Sequence, residues 1–239
     1  MKFLMFSNYE EMSDAAANIM AEQIKAKPNS VLGLATGSTP VGMYKKLIEM
    51  NKSGDIDFSD ITTVNLDEYY PIDPANNQSY RYFMNDNLFN HINIDMDRTN
   101  VLYGLAEDPE EECERYEQLI KDLGGIDIQV LGIGQNGHIA FNEPEENLYM
   151  NTHKTELTES TIKANSRFFS EGEIMPTASL TMGMGTIFAA KKIILLINGK
   201  SKRAAFEQLL NDRFSTSCPA TILKLHPDVT VICDAEVAD

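Results

Sequence analysis

The chain has 239 residues, of which 43% are hydrophobic and 23% are charged, values typical of a globular protein large enough to bury a substantial core. Asp and Glu number 36 against 20 Lys and Arg, and the net charge of -16 argues against broad contact with nucleic acid or an anionic membrane. The three cysteines, Cys113, Cys218 and Cys233, show no C-x-x-C spacing, so neither a disulfide framework nor a thiolate metal site is indicated.

The start of the chain predicts a cytoplasmic protein. Four consecutive apolar residues, 3–6, come before Ser7 and the polar stretch that it begins, which is too few for a signal-peptide core or a membrane span. An amphipathic helix to about residue 25 follows. Since the first strand begins almost at residue 1, we expect no DNA-binding segment ahead of it.

Apolar strands and helices alternate along the rest of the chain. Strands are predicted at residues 31–35, 61–66, 100–103, 126–131, 192–198 and 229–233, and helices at about 40–50, 79–88, 109–123 and 201–210. Several strands are apolar throughout, which is typical of parallel strands covered on both faces. We therefore predict one domain over residues 1–239, a doubly wound (Rossmann-like) three-layer α/β/α sandwich with a mainly parallel sheet.

Residues from about 145 to 176 are the least regular part of the sequence. Long excursions from compact α/β domains often have a function, so this segment is either a lid over the ligand or an ordinary surface excursion.

Ligands of open parallel sheets bind beyond the carboxyl ends of the strands, and four polar segments follow predicted strands. The first is the turn before the second helix, with Thr36, Gly37, Ser38 and Thr39. Free backbone N–H groups, small hydroxyl side chains and the helix dipole suit a phosphate group. The alternative is a well-capped helix start, with Thr39 as the cap and Pro40 in the first position.

A second strand-to-helix turn, GKSKR at 199–203, carries cations at the start of a helix. Cations are unfavourable there unless an anion lies nearby, so Lys202 is a candidate for a second phosphate contact, against the alternative of a solvated surface lysine. Arg167 could be a third cation, but it belongs to the irregular segment and the sequence does not place it.

Two adjacent carboxylates, Asp67 and Glu68, follow the strand at 61–66. Acidic residues in such a position are either ordinary loop residues or a poised general base, and the ligand edge favours the second interpretation. Because successive side chains of a strand point to opposite sides, only one of the two need face the ligand.

A glycine-rich turn, GIGQNGHIAFNEP at 132–144, follows the strand at 126–131. Its G-x-G-x-x-G spacing matches the dinucleotide fingerprint, which needs a helix after the third glycine and an acidic residue about 20 residues further on. Pro144 would break that helix, and residues 145–159 are polar and irregular. We therefore reject a dinucleotide cofactor.

The turn is better explained as a support for His138. Asn136 stands before this histidine and Glu143 five residues after it, so the turn could bring carboxylate and imidazole together, and a histidine titrates near neutral pH. A structural histidine is the alternative. The other three histidines show no ligand spacing, so we expect no catalytic metal. The four segments together predict proton transfer on a small phosphorylated molecule without a redox cofactor or metal.

Four motifs in this chain closely resemble those of the glucosamine-6-phosphate deaminases. They are LATGSTP at 34–40, NLDEY at 65–69, GIGQNGHIAFNEP at 132–144 and NSRFF at 165–169. The resemblance runs over nearly the whole chain in the right order, and GHIAFNEP is highly specific. It implies conversion of glucosamine 6-phosphate and water to fructose 6-phosphate and ammonia, by an aldose-to-ketose isomerisation coupled to loss of the amine.

The resemblance also implies a role for each matching residue. Asp67 matches the base that moves a proton between C2 and C1 through an enolamine-like intermediate. His138 matches the group that opens the pyranose ring, and Glu143 the carboxylate that orients and tunes this histidine. The residues that match the phosphate cradle are Thr36, Gly37, Ser38, Thr39, Arg167 and Lys202.

The chain departs from some family members at two places. Asn136 replaces an aspartate, so one negative charge near His138 is absent and we expect a different pH profile. Members regulated by N-acetylglucosamine 6-phosphate are hexamers with basic side chains after the Asn-Glu-Pro motif and a longer tail, whereas here Glu145 and Glu146 follow the motif and the sequence stops at Asp239. Allosteric activation is therefore not expected, and both a monomer and a homo-oligomer stay open.

Three alternatives remain. A 6-phosphogluconolactonase has the same architecture and a similar glycine–histidine turn, but would not be expected to carry AFNEP after the histidine. A galactosamine-6-phosphate deaminase acts on a sugar that differs only in its configuration at C4, and the sequence does not fix which configuration is bound. A sugar-phosphate sensor domain of a transcription regulator would need a DNA-binding segment and would not need to keep Asp67, His138 and Glu143 together.

Overall fold

The computed structural model describes residues 1–158, 162 and 175–238 and is built on two sheets. The central sheet is parallel throughout and contains β1 (Lys2–Phe6), β2 (Val31–Leu34), β3 (Thr62–Asn65), β5 (Thr99–Asn100), β6 (Ile128–Leu131), β9 (Ile193–Ile197) and β10 (Val229–Asp234), in the order β1-β10-β9-β6-β2-β3-β5. The smaller sheet is antiparallel and contains β4 (Asp67–Tyr70), β8 (Ala178–Thr181) and β7 (His153–Glu156), in that order.

Within the described residues, six α-helices lie in the connections between these strands. They are α1 (Tyr9–Ala26), α2 (Val41–Lys52), α3 (Tyr80–Asn87), α4 (Pro109–Asp122), α5 (Met184–Phe188) and α6 (Arg203–Leu210). From β1 through β2 and β3 to β5 the chain moves in one direction across the sheet, and from β5 through β6 and β9 to β10 it moves back. Right-handed crossovers therefore place α1 to α3 on one face and α4 to α6 on the other. The predicted doubly wound α/β/α fold is confirmed.

The core lies between the central sheet and its helices. β9 reads IILLI and is buried along its whole length, because it is an interior strand with helices on both faces. The small residues Ala16, Ala17 and Ala21 lie on the buried side of α1, which packs against α2. No helix in the described residues is long and apolar enough to cross a membrane.

The strand predicted at 100–103 is wrong in its extent, since β5 ends at Asn100. β5 lies at the edge of the sheet, and the backbone beyond it bonds to side chains of α4 instead of a strand. The carbonyl of Asn100 accepts from the Tyr116 hydroxyl at 3.1 Å, and the N–H of Tyr103 donates to Glu112 Oε1 at 2.8 Å. A helix therefore ends this strand.

The smaller sheet was not predicted, and it corrects the view of residues 145–176 as irregular. Residues 153–156 form β7, which pairs with β8 in the antiparallel direction, with His153 opposite Thr181. Its sequence, HKTE, shows no apolar alternation, because the strand lies at the edge with its side chains half-buried or exposed. The predicted lid otherwise falls largely on residues 159–161 and 163–174, which lie outside the described part.

Candidate active site

The direction of the chain across the central sheet reverses between β2 and β6, which are neighbours. Ligands of open α/β sheets bind at such a switch point, beyond the carboxyl ends of the strands. The four segments singled out in the sequence leave the sheet at the ends of four adjacent strands, β9, β6, β2 and β3. The fold therefore brings the predicted segments to one edge.

The turn after β6 is shaped around the imidazole ring of His138. A Cβ atom on Gly134 would lie 2.5 Å from each of three ring atoms, so the ring face rests on the Gly134 backbone. The N–H of Gly134 donates to the His138 carbonyl at 2.9 Å. Gly137 has φ +86° and its Cα lies against the Cys218 thiol. No helix follows Gly137, as predicted, so these glycines support a histidine and not a pyrophosphate.

A carboxylate and an amide surround the histidine. Glu143 Oε1 lies 3.0 Å from His138 Nδ1, in an ion-pair contact and not an in-line hydrogen bond. Asn136 Nδ2 donates to Glu143 Oε2 at 2.6 Å, and Asn136 Oδ1 accepts from the His138 backbone N–H at 3.2 Å. Glu143 is buried and His138 is about a quarter exposed. Asn136 thus holds the carboxylate beside the ring, while the ring keeps access to a ligand.

The loop after His138 is fastened to the smaller sheet. Ala140 adopts φ +53°, which is unusual for a residue other than glycine. Asn142 Nδ2 donates to the carbonyls of Ile139 at 3.0 Å and Met182 at 2.8 Å, and this side chain therefore closes the tight loop around Ala140. The strained turn places Glu143 back beside the ring of His138.

Asp67 lies at the start of β4 and is buried, with 6% of its surface exposed. Burial first, and then the negative charge of Glu68, raises the pKa of Asp67 from 3.8 to about 8. Asp67 pairs with Thr181 of β8, whose hydroxyl accepts from the Phe141 N–H at 3.2 Å. The same residue of β8 is therefore the neighbour of Asp67 and of the loop that follows His138.

Glu68 points away from Asp67, as strand alternation predicts, and anchors α3. Its Oε1 accepts from the backbone N–H groups of Tyr69 and Tyr80 at 2.9 and 2.8 Å, and its Oε2 from that of Arg81 at 2.9 Å. Burial raises the pKa of Glu68 to about 7, although these hydrogen bonds oppose the rise. Only one of the two adjacent carboxylates is therefore available to a ligand, and it is Asp67.

Three aromatic rings join these elements. Tyr80 of α3 stacks on Phe141 with centroids 6.2 Å apart, and Tyr69 of β4 lies 4.8 Å from Tyr80 and 6.0 Å from Phe141. Such aromatic contacts exclude water from their surroundings. They link the strand that carries Asp67 to the loop that carries His138.

The turn after β2 has the properties of an anion site. Gly37 adopts φ +94° and Ser38 is exposed, while Thr36 and Thr39 are half-buried. The hydroxyl of Tyr9 accepts from the N–H of Gly42 at 2.8 Å and contacts the carbonyl of Ser38 at 3.0 Å. Backbone and hydroxyl donors thus face the same edge of the sheet as Asp67 and His138.

The alternative interpretation of this turn, in which Thr39 caps α2, is wrong. The cap position is Pro40, without a side-chain hydrogen bond, and the Thr39 hydroxyl donates to Asn198 Oδ1 at 2.6 Å. A partner 159 residues away competes with the local cap, because the turns after β2 and β9 meet above the end of β6. Asn198 was not predicted as a site residue. The signal for it was a polar residue at the end of an apolar strand, as at Asp67.

Lys202 follows β9 and completes the basic side of this edge. Its side chain is half-buried, and burial lowers the pKa of its amine below the usual 10.5. Within the described residues it makes no ion pair, whereas Lys27 and Lys191 both pair with Asp127. A partly desolvated ammonium without a carboxylate partner suits an anionic ligand. Arg167, the third predicted cation, lies outside the described residues.

Comparison with known proteins identifies relatives over the full length of the chain. The family model of glucosamine-6-phosphate isomerases/6-phosphogluconolactonase matches residues 7–232. The glucosamine-6-phosphate deaminases of Thermoanaerobacter pseudethanolicus and Clostridium beijerinckii are each 56% identical to the chain; each alignment covers 100% of the chain, and 94% and 99% of these relatives respectively.

Solved structures agree with these relatives. A monomeric glucosamine-6-phosphate deaminase superposes with a TM-score of 0.96 at 48% identity, over 100% of this chain and 99% of its own. A 6-phosphogluconolactonase from Thermotoga maritima, 20% identical, superposes with a TM-score of 0.78 over 98% of both chains and therefore shares the fold. The chain belongs to the family of glucosamine-6-phosphate isomerases and 6-phosphogluconolactonases.

Proposed function

We propose that this chain is a glucosamine-6-phosphate deaminase, which converts glucosamine 6-phosphate and water to fructose 6-phosphate and ammonia. The observation that carries the proposal is the meeting of two different proton-transfer groups at one sheet edge, the buried carboxyl of Asp67 and the imidazole of His138 beside Glu143. Relatives that are named glucosamine-6-phosphate deaminases and are 56% identical support the choice of reaction.

The phosphate group binds first in this mechanism, because it fixes the register of the sugar. Backbone and hydroxyl groups of Thr36, Gly37, Ser38 and Thr39 donate to it, together with the amine of Lys202 and, by the family match alone, Arg167. The side chain of Lys202 supplies a positive charge at this sheet edge of an acidic protein. The sugar then extends from the phosphate toward Asp67 and His138.

His138 opens the pyranose ring. The imidazole accepts the proton of the C1 hydroxyl and delivers a proton to the ring oxygen, so the C1–O5 bond breaks and an aldehyde forms. Glu143 holds the ring in place, with its Oε1 3.0 Å from Nδ1 of His138. Asn136 keeps that carboxylate in place through its 2.6 Å hydrogen bond.

Asp67 then carries out the isomerisation. Its carboxylate removes the proton from C2 while O1 gains a proton, which gives an enolamine. The resulting carboxylic acid then returns the C2 proton to C1 while the nitrogen loses a proton, which yields a ketimine at C2. Water adds to C2 and ammonia leaves, so the products balance the substrates. A carboxyl with a pKa of about 8 suits both steps, because it accepts and releases a proton near neutral pH.

We also infer that the chain works as a monomer. The deaminase with a TM-score of 0.96 is described as monomeric, and the two glutamates after the Asn-Glu-Pro motif, Glu145 and Glu146, would repel the anionic effector of the hexameric members. For a monomer, we expect sedimentation at catalytic concentration to give a mass near 27 kDa. A stable hexamer would contradict the inference.

The test of the function measures ammonia and fructose 6-phosphate released from glucosamine 6-phosphate without added metal. Asp67→Asn is the variant, and Asp86→Asn, which removes an exposed carboxylate of α3, is the matched control. We expect equal amounts of both products from the parent and the control and a loss of at least about 10²-fold in Asp67→Asn. Preference for galactosamine 6-phosphate, or hydrolysis of 6-phosphogluconolactone in place of deamination, would refute the proposal.

A further inference from the structure

Asn198 joins the two turns of the phosphate cradle, and either the oxygen or the nitrogen of its amide group can face Thr39. It follows β9 directly, and its Oδ1 accepts the Thr39 hydroxyl proton at 2.6 Å. In the sheet β6 separates β9 from β2, so this hydrogen bond spans the end of β6 and ties the turn of Lys202 to the turn of Thr39.

A threonine hydroxyl has one proton and can donate only once. With the amide oxygen of Asn198 facing it, Thr39 donates to Asn198 and offers the ligand only its lone pairs. A phosphate oxygen at neutral pH also offers only lone pairs. In this arrangement Thr39 would repel the group that the cradle has to bind.

The amide can reverse this arrangement by turning through about 180°, which exchanges its oxygen and nitrogen. Within the described residues the Asn198 side chain makes no other hydrogen bond, so the rotation breaks nothing else. Asn142 is a contrast, since its amide nitrogen already donates to two carbonyls and the same rotation would lose both. The freedom to turn is therefore a property of Asn198 and not of every asparagine in this region.

We propose that Asn198 is a positioning residue for the substrate phosphate. When the anion binds, the Asn198 amide nitrogen donates to Thr39 Oγ1, and the Thr39 proton passes into a hydrogen bond to a phosphate oxygen. Asn198 acts through Thr39 and does not contact the phosphate. This assignment rests on the proposed function, because it takes the turn after β2 as the phosphate cradle.

The test compares Asn198→Asp and Asn198→Ala, each in the parent and in a Thr39→Val background. An aspartate can only accept, so it keeps the Thr39 proton, and we expect KM for glucosamine 6-phosphate to rise roughly 10- to 100-fold with kcat little changed, as for a lost hydrogen bond to a charged group. Alanine leaves the hydroxyl free to rotate toward the phosphate, so KM changes by less than about threefold. In the Thr39→Val background there is no hydroxyl proton to redirect, so Asn198→Asp should raise KM only through the repulsion between its negative charge and the phosphate.

Two results would overturn the assignment. An equal rise in KM from Asn198→Asp in both backgrounds would mean that the added charge acts alone, since a double-mutant cycle reveals coupling only where two residues act together. A rise in KM from Asn198→Ala as large as that from Thr39→Val would mean that Asn198 binds the phosphate directly. Thermal unfolding of each variant excludes a general loss of structure.

Titration with inorganic phosphate separates the two proposals. If the parent does not deaminate glucosamine 6-phosphate, the proposed function fails, but the phosphate affinities of the same set of variants still test Asn198. We expect the affinities to follow the order parent, Asn198→Ala, Asn198→Asp. Equal phosphate affinity in all three would refute the role of Asn198 even in an active deaminase.

Discussion

Asp67 should destabilise the folded protein, and increasingly so as the pH rises. Its pKa is 3.8 in an unfolded chain and about 8 in the folded one, so between these values the folded state holds one proton more than the unfolded state. The free energy of unfolding then falls by about 1.4 kcal/mol for each pH unit contributed by this group. Asp67→Asn removes this dependence while it keeps the shape of the side chain.

Over three pH units, from about pH 5 to about pH 8, the largest expected gain from Asp67→Asn is about 4 kcal/mol. Water penetration reduces it, so a gain of at least about 1 kcal/mol is the conservative expectation. Near pH 4 the carboxyl is neutral in the folded parent and about half ionised in the unfolded chain, so the two proteins should be nearly equal in stability.

Urea unfolding of the parent and of Asp67→Asn at about pH 4 and about pH 8 measures the difference in the free energy of unfolding. Asp86→Asn is the exposed control. The variant should be more stable at about pH 8 than the parent and yet inactive, the combination expected when a strained site is kept for chemistry. A stability difference that is the same at both pH values would show that burial does not perturb Asp67, and the argument for it as the base would lose its physical support.

Three further variants test the rest of the site. Gly134→Ala places a Cβ atom 2.5 Å from three atoms of the His138 ring. Displacement of the ring should lower kcat about 10²-fold with little change in KM. An unchanged kcat would show that catalysis does not depend on the contact between the ring and the Gly134 backbone. Asn136→Asp replaces the donor to Glu143 with a like charge, so the pH–rate profile should shift, and a profile that overlays the parent's contradicts the bracing role. Lys202→Met should raise KM about 10- to 100-fold at nearly constant kcat; loss of kcat alone would place this lysine elsewhere.

Much of this fold could be predicted because several of its strands are apolar over their whole length. β9 reads IILLI, and a run of this kind is stable only inside a sheet with helices on both faces. Glycine turns and helix starts then mark the ligand edge. The division of work between Asp67 and Glu68 also followed from local geometry, since neighbouring side chains of a strand point to opposite sides.

Contacts between distant parts of the chain were beyond this reasoning. β7 has no apolar pattern and exists only because β8 offers it hydrogen bonds. Thr39 has the composition of a helix cap, yet Asn198, 159 residues away, takes its hydroxyl. The arrangement of the whole sheet decides which of two possible partners a side chain binds, and local composition does not contain that information.

The pairing of the first and last strands has a consequence for how this protein is made. In the part of the chain that the structure describes, β1 occupies the edge of the central sheet and pairs there with β10, which ends at Asp234. As the chain leaves the ribosome, residues 2–6 are made before the other strands of this sheet, but their hydrogen-bonding partner β10 is made after all of those strands. Leu4 and Phe6, which are half-buried in the folded protein, must therefore stay in contact with water, or with a chaperone, until β10 has been made.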